Sequence, residues 1–154
     1  MTRERRDPIT SFAFKVTLQL TNNAGDASQA FFRSVSGLRF ETTAEEVKAG
    51  GVNDTTLKIV GARKFSNLIL KRGFTGSGQE IYRWVQEWHS PATRQKTRIV
   101  VKVVQLDASM QNAVATWTVR GAFPVKWEIG DLDASKSELS IETLELAFDD
   151  MTVS

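Results

Sequence analysis

The 154 residues predict a mainly β domain with one α-helix. Three observations carry that expectation. Phe12, Phe14, Val16, Leu18 and Leu20 alternate with polar or small residues, the period-two signature of a strand with one buried face. The run from Arg98 to Leu106 crowds Ile99, Val100, Val101, Val103 and Val104 together, and β-branched side chains favour a pleated surface over a helix. One segment has helical spacing: Ile81, Trp84, Val85 and Trp88 fall at i, i+3, i+4 and i+7. It follows Ser77-Gly78-Gln79-Glu80, a capping-box pattern, and Ser90-Pro91 stops it.

The remaining elements fill in around these. Asn22-Asn23-Ala24-Gly25-Asp26 is a turn, and Phe31 to Ser36 is a second strand, with Gly37 allowing a kink before Leu38 and Phe40. Lys48 to Asp54 is the most loop-like stretch, and Leu57 to Val60 and Phe65 to Lys71 return to strand character. Asp107 to Asn112 makes a turn. Ala115, Trp117, Val119, Phe123, Val125 and Trp127 share one parity, interrupted by Gly121 and by Pro124, which marks an edge or a bulge. The last strand shifts phase, because Leu139 and Ile141 share one face while Leu144, Leu146 and Phe148 share the other. Either a bulge re-aims it or both faces are buried at different points. The expected total is seven or so strands and one helix in a single domain spanning 1–154, with no repeats.

Composition narrows the function classes. There is no cysteine, which removes disulfides, thiolate chemistry and Cys-based metal sites. No apolar stretch approaches the roughly 20 residues that cross a bilayer. Met1 to Pro8 has no apolar core behind its arginines and reads as a short arm, not a secretory signal. A net charge of +2 does not argue for nucleic acid, but the charge is segregated. Lys58 to Lys102 holds ten Lys/Arg against two Glu, a net of about +8. Glu128 to Asp150 holds eight Asp/Glu against one Lys, about −7. Two such blocks can pair within a chain, steer copies into head-to-tail association, or form two ordinary solvated faces.

No constellation supports catalysis. Gly73-Phe74-Thr75-Gly76-Ser77-Gly78 lies before a helix, but it matches neither the P-loop nor the dinucleotide fingerprint, and a tight turn into a cap explains it. His89 is the only histidine, and its place at a helix C-terminus suits a surface or capping role. The acid pairs Glu45-Glu46 and Asp149-Asp150 are adjacent residues, which point to opposite faces of a strand. Trp84, Trp88, Trp117 and Trp127 fall on the apolar stripes, which makes them core or subunit-interface residues in preference to base-stacking platforms. No cofactor or metal site is expected.

Collinear segments along nearly the whole chain resemble the tube protein of contractile phage tails and phage-tail-like injection particles. They are Asp7-Pro8 with the strand Phe12 to Leu20, then Phe32-Arg33-Ser34-Val35-Ser36-Gly37-Leu38 and Glu41. Lys64 to Gly76 follows, leading into the helix that carries Trp84. Trp117, Ala122-Phe123-Pro124-Val125-Lys126-Trp127 and Ile141 to Ala147 complete the series. Two positions depart from the pattern. Phe148-Asp149 stands where relatives often carry a histidine followed by an acid, and Leu57-Lys58-Ile59-Val60-Gly61 replaces a Leu-Pro-Gly type of turn.

The resemblance implies a small antiparallel β-barrel or sandwich flanked by one helix. It implies a structural protein, not an enzyme, that forms hexameric rings stacked into the rigid inner tube of a contractile tail. The implied partners are further copies of the chain, a sheath protein, baseplate or tube-initiator and terminator proteins, and cargo protein or DNA in the lumen. Assembly would take place in the bacterial cytoplasm, and the product would be a virion tail or an injection particle released from the cell. The inter-subunit candidates are the segment 43–64, read as a loop with Glu45, Glu46, Lys48, Gly50, Gly51, Asn53 and Asp54, and the arm 1–8 with Arg3, Arg5 and Arg6. Thr116, Thr118 and Arg120, on the parity opposite the core, are the lumen candidates. The nearest rivals are the type VI secretion tube protein and a tube-initiating baseplate component of the same fold. A nucleic-acid-binding module using the basic block would predict steeply salt-dependent DNA binding by the isolated subunit.

Overall fold

The computed structural model describes residues 14–19, 27–48, 50, 55–74, 80–94, 96–135 and 140–154. In chain order the elements are β1 (Phe14–Gln19), β2 (Ala27–Phe32), β3 (Ser34–Ser36), β4 (Phe40–Lys48), β5 (Thr56–Phe65) and β6 (Leu68–Gly73). There follow α1 (Glu80–His89), β7 (Ile99–Leu106), β8 (Ala113–Ile129), β9 (Ile141–Ala147) and β10 (Asp150–Val153). Phe12, Leu20, the turn 22–26, most of the 48–54 stretch, Ser77 to Gln79 of the capping box and the arm 1–8 lie outside the described residues.

All pairings are antiparallel, and the main sheet runs β2-β1-β7-β8-β9-β6-β3, with β10 added to β8. The two ends of that path are one piece of chain. Only Arg33 separates β2 from β3, and its amide donates to the Lys71 carbonyl at 3.0 Å. The sheet therefore curls back on itself into a small barrel with two corners. One corner is Arg33; the other lies within the 17-residue β8, at Gly121. Gly121 has φ +70°, and a Cβ there would overlap the Asp149 carboxylate, so a residue without a side chain lets β8 turn from one layer to the other. More strands are seen than the sequence suggested because β2 and β3 are one strand bent at Arg33, β9 and β10 are another broken at Phe148-Asp149, and β4 occupies a segment that reads as a loop.

The barrel interior is filled by the alternate residues of its strands. Val16, Leu18, Phe32, Leu68, Leu70, Val101, Val103, Val119, Leu144 and Leu146 are buried, and Ile81 and Trp84 of α1 pack against them. Burying each such side chain stabilises the fold by about 1.5–3 kcal/mol.

The parity expected for β8 holds only to its corner. Val119 faces inward with half-buried Trp117, but beyond Gly121 the buried residues are Ala122 and Pro124, while Val125 is exposed. A register shift between Pro124 and Lys126 then restores Trp127 to the core. In β9 both faces are covered at one end. Glu142 shares the inward parity of Leu144 and Leu146, while Thr143 is buried on the opposite face, beside half-buried Ile141.

The segment 43–64, expected as a loop with strand character only over Leu57 to Val60, is instead largely a long hairpin of β4 paired with β5, standing apart from the main sheet. Leu57 to Gly61, where a turn was the family's pattern, is part of β5.

Candidate assembly surfaces

Half of the barrel forms a five-strand layer in the order β2-β1-β7-β8-β10. Its inward parity is the apolar core. Its outward parity is polar: Gln29, Thr17, Lys102, Thr118 and Thr152 align in one row across all five strands. Lys15, Gln19, Thr116 and Arg120 lie on the same face. The three lumen candidates, Thr116, Thr118 and Arg120, thus share one solvent-facing surface of β8, opposite Val119.

Both ends of this layer carry strand edges that no other strand covers among the described residues. β2 pairs only with β1, and β10 pairs only with β8. Thr116 and Ser154 exchange both backbone hydrogen bonds, at 3.1 and 2.9 Å, so the antiparallel alternation turns the amide and carbonyl of Val153 towards the open side. The other layer, β8-β9-β6-β3, has guarded ends. β3 has three residues, too short to template a partner, and α1 covers the C-terminal half of β8. There the Trp88 ring stacks on Phe123 at 5.4 Å, and His89 Nε2 lies 2.9 Å from the Pro124 carbonyl oxygen. That contact accounts for the lone histidine: it ties the end of the helix to the strand it covers.

The hairpin is the second exposed feature. Not one residue of β4 is buried, and β5 is open to solvent along nearly all its length, with Val60 82 % exposed. Val47 faces Leu57 and Glu45 faces Ile59 across one side, while Glu46 faces Lys58 and Ala44 faces Val60 across the other. Of the inter-subunit candidates, Glu45, Glu46 and Lys48 stand on β4 and Gly50 beyond it, all exposed. Gly51, Asn53, Asp54, Arg3, Arg5 and Arg6 lie outside the described residues. Sequence reasoning chose the charged and glycine positions and passed over the apolar ones. The available signal was Leu57/Ile59 alternation opposite Val47 in a segment otherwise free of core residues.

The two charge blocks meet inside one chain. Arg72 pairs with Glu142 at 2.6 Å, Arg98 with Asp149 at 2.7 Å and Arg63 with Asp150 at 3.6 Å. The first pair is the buried one, and its carboxylate also accepts from Trp127 Nε1 at 2.9 Å while the guanidinium lies over the Phe32 ring. A further polar turn joins β7 to β8. Asp107 accepts from the Ser109 hydroxyl, the Asn112 side chain and the amides of Asn112 and Gln111, and these bonds lower its pKa to about 2. No group of His, Asp and Glu among the described residues is arranged to hold a metal, and no helix among them is long and apolar enough to cross a membrane.

Edges, polar face and projecting hairpin are features of an assembling protein, and the sequence settles which kind. Residues 10–152 match the family model of the T4-like virus tail tube protein gp19. The chain belongs to that family. It is a structural tail tube protein and not an enzyme.

Solved structures share the fold of this tail tube protein over all or nearly all of its length. A chain of the extracellular contractile injection system PVC, in its extended sheath–tube complex, is 22 % identical with a TM-score of 0.75, covering 100 % of this chain and 99 % of that one. A chain of the anti-feeding prophage baseplate, solved with six-fold symmetry, is 24 % identical with a TM-score of 0.71, covering 100 % and 97 %. Hcp1 from Flavobacterium johnsoniae is more distant, at 15 % identity and a TM-score of 0.53, covering 93 % and 95 %. No curated protein matches the sequence.

Proposed function

We propose that this tail tube protein closes into hexameric rings by pairing β2 of one copy with β10 of the next, and that the rings stack into a rigid conduit. The observation that carries the reading is the five-strand layer with an unpaired strand at each end. Two different edges of one layer make a head-to-tail contact, which closes into a ring when the rotation permits. Closure would hide both edges, which are otherwise templates for disordered aggregation. The polar outward row then becomes the wall of the channel, with Thr116, Thr118 and Arg120 on it, and acidic or neutral cargo, protein or DNA, would pass over hydroxyl, amide and cationic side chains.

Stacking is open-ended and needs a surface that reaches beyond the ring. The hairpin is the candidate, through Glu45, Glu46, Lys48 and Gly50 and its apolar Leu57, Ile59 and Val60, with Gly51, Asn53, Asp54 and the Arg3, Arg5 and Arg6 arm as further contacts. A sheath protein around the tube, and initiator and terminator proteins at its ends, complete the partners of this reading. Assembly takes place in the bacterial cytoplasm, and the product is a phage tail or an injection particle that leaves the cell.

Val153→Pro tests the edge. It removes an amide that points away from β8 in the next-to-last residue, so the subunit stays folded. The expected result is a monomeric, folded chain at concentrations where the native protein forms rings, read by sedimentation velocity. Rings formed as readily by the variant would overturn the β2–β10 closure.

A further inference from the structure

Among the described residues the hairpin pairs with no strand but its own two, so its direction depends on what holds its base. There Phe40 and Phe65 lie opposite each other, with ring centroids 5.8 Å apart, and Phe65 meets Phe148 at 5.3 Å. The Arg63 guanidinium lies over both hairpin rings, 5.5 Å from Phe40 and 4.9 Å from Phe65. It also reaches Asp150 Oδ1 at 3.6 Å, while Asp150 Oδ2 is 3.9 Å from Arg120 of β8. Phe148 sits in the link between β9 and β10, and Asp150 opens β10. The anchor of the hairpin is therefore the start of the edge strand.

We infer that Phe148 and Asp150 are positioning residues that fix the aim of the hairpin relative to the β10 edge. A two-stranded hairpin alone is marginal in water, and this one joins the barrel through short connections on either side, one of them containing Gly37 at φ +90°. The two connections are tied to each other, the Ser66 amide donating to the Arg39 carbonyl at 3.2 Å and Arg39 Nε to Ser66 Oγ at 3.0 Å, but these bonds do not reach β8 or β10, and the exposed Arg63–Asp150 pair would hold little by itself. Three aromatic rings with a guanidinium over two of them, tied to that carboxylate, make a directional clamp. Its role in assembly rests on the ring reading above. Once β10 is held by a neighbour, Phe148 and Asp150 are held with it, and the hairpin presents itself to the next ring in one direction. Ring closure would then precede stacking.

The absence of cysteine makes the test direct. Lys48→Cys and Lys102→Cys place one spin label on the hairpin and one on the barrel of the full chain. Pulsed electron-electron double resonance on the unassembled subunit reads the spread of distances between them. Asp150→Asn and Phe148→Ala are expected to broaden or shift that distribution, with Phe148→Leu intermediate, while the far-UV circular dichroism stays native. Asp150 is half exposed, so its variant keeps the test decisive if Phe148→Ala misfolds. Unchanged distributions in folded variants would overturn the anchor. In the assembled state, the same variants should form rings at the native concentration but lower the ratio of tubes to rings severalfold under the electron microscope. A native ratio would overturn the link to stacking. Failure of the unsubstituted protein to form rings at all would refute the ring reading instead, with the distance measurement still deciding the anchor.

Discussion

The barrel strands β1 and β7 bury Val16, Leu18, Val101 and Val103 completely, whereas none of the nine residues of β4 or the ten of β5 is buried. Both regions are antiparallel pairs, unbroken in β1–β7 and shifted once between Thr42 and Ala44 in β4–β5, so the kind of pairing does not distinguish them. Burial does. The barrel converts alternation into a closed interior, while the hairpin carries Leu57, Ile59 and Val60 into solvent. Stability therefore resides in the barrel, and the hairpin leaves apolar area exposed.

The sharpest way to break this contrast is to place the same charge in both regions. Val103→Asp puts a carboxylate at a fully buried position, and should cost more than about 4 kcal/mol, a large part of the roughly 5–15 kcal/mol that holds an ordinary domain together. Val60→Asp should change the unfolding free energy of the subunit by no more than about 0.5 kcal/mol, yet shorten or abolish tubes. Chemical denaturation of both variants, with microscopy of the second, checks the pair. A large loss of subunit stability in Val60→Asp would place the hairpin within the folded core.

Ion pairs sharpen the contrast at smaller scale. Glu142→Ala leaves the partly buried Arg72 guanidinium and the Trp127 indole without their carboxylate, and is expected to cost about 3 kcal/mol in urea unfolding. Arg98→Ala, at an exposed pair of nearly the same length, should cost less than about 1 kcal/mol. Equal costs would mean that distance, and not burial, sets the strength of these contacts.

The smallest effect is at the β7–β8 turn. Hydrogen bonds to the Asp107 carboxylate lower its pKa from an ordinary value of 3.8 to about 2. A depressed acid contributes stability that is present above the unfolded pKa and lost as pH falls through the folded one. The turn should therefore keep its bonds down to about pH 4 and lose them towards pH 2. Side-chain carboxyl NMR should titrate Asp107 with a midpoint near 2, and Ser109→Ala should raise it. A midpoint at the ordinary carboxylate value would show the turn open in solution.

Much of the barrel was legible because its signal is local. Alternation in Phe14–Gln19 and β-branching in Ile99–Val104 depend only on which face is wet, and the Ile81/Trp84 stripe needs only helical spacing. The corners were not legible in the same way. Gly121 could be seen as an interruption, but not that its backbone turns at φ +70° against Asp149, 28 residues away. The hairpin was legible in part: Leu57 to Val60 has strand character, but β4 is exposed on both faces and carries no core periodicity, so the segment 43–64 as a whole reads as a loop. The apolar Val60 lacked context, since it is exposed in the subunit. Charge segregation was visible, but not that three of its pairs close within one subunit.

The central claim is that the open edges of the five-strand layer close a ring. Negative-stain electron microscopy of the purified protein at rising concentration tests it most directly. Six-fold rings that stack into hollow tubes are the predicted result. A particle that stays monomeric at every concentration, with β2 and β10 intact, would contradict the account.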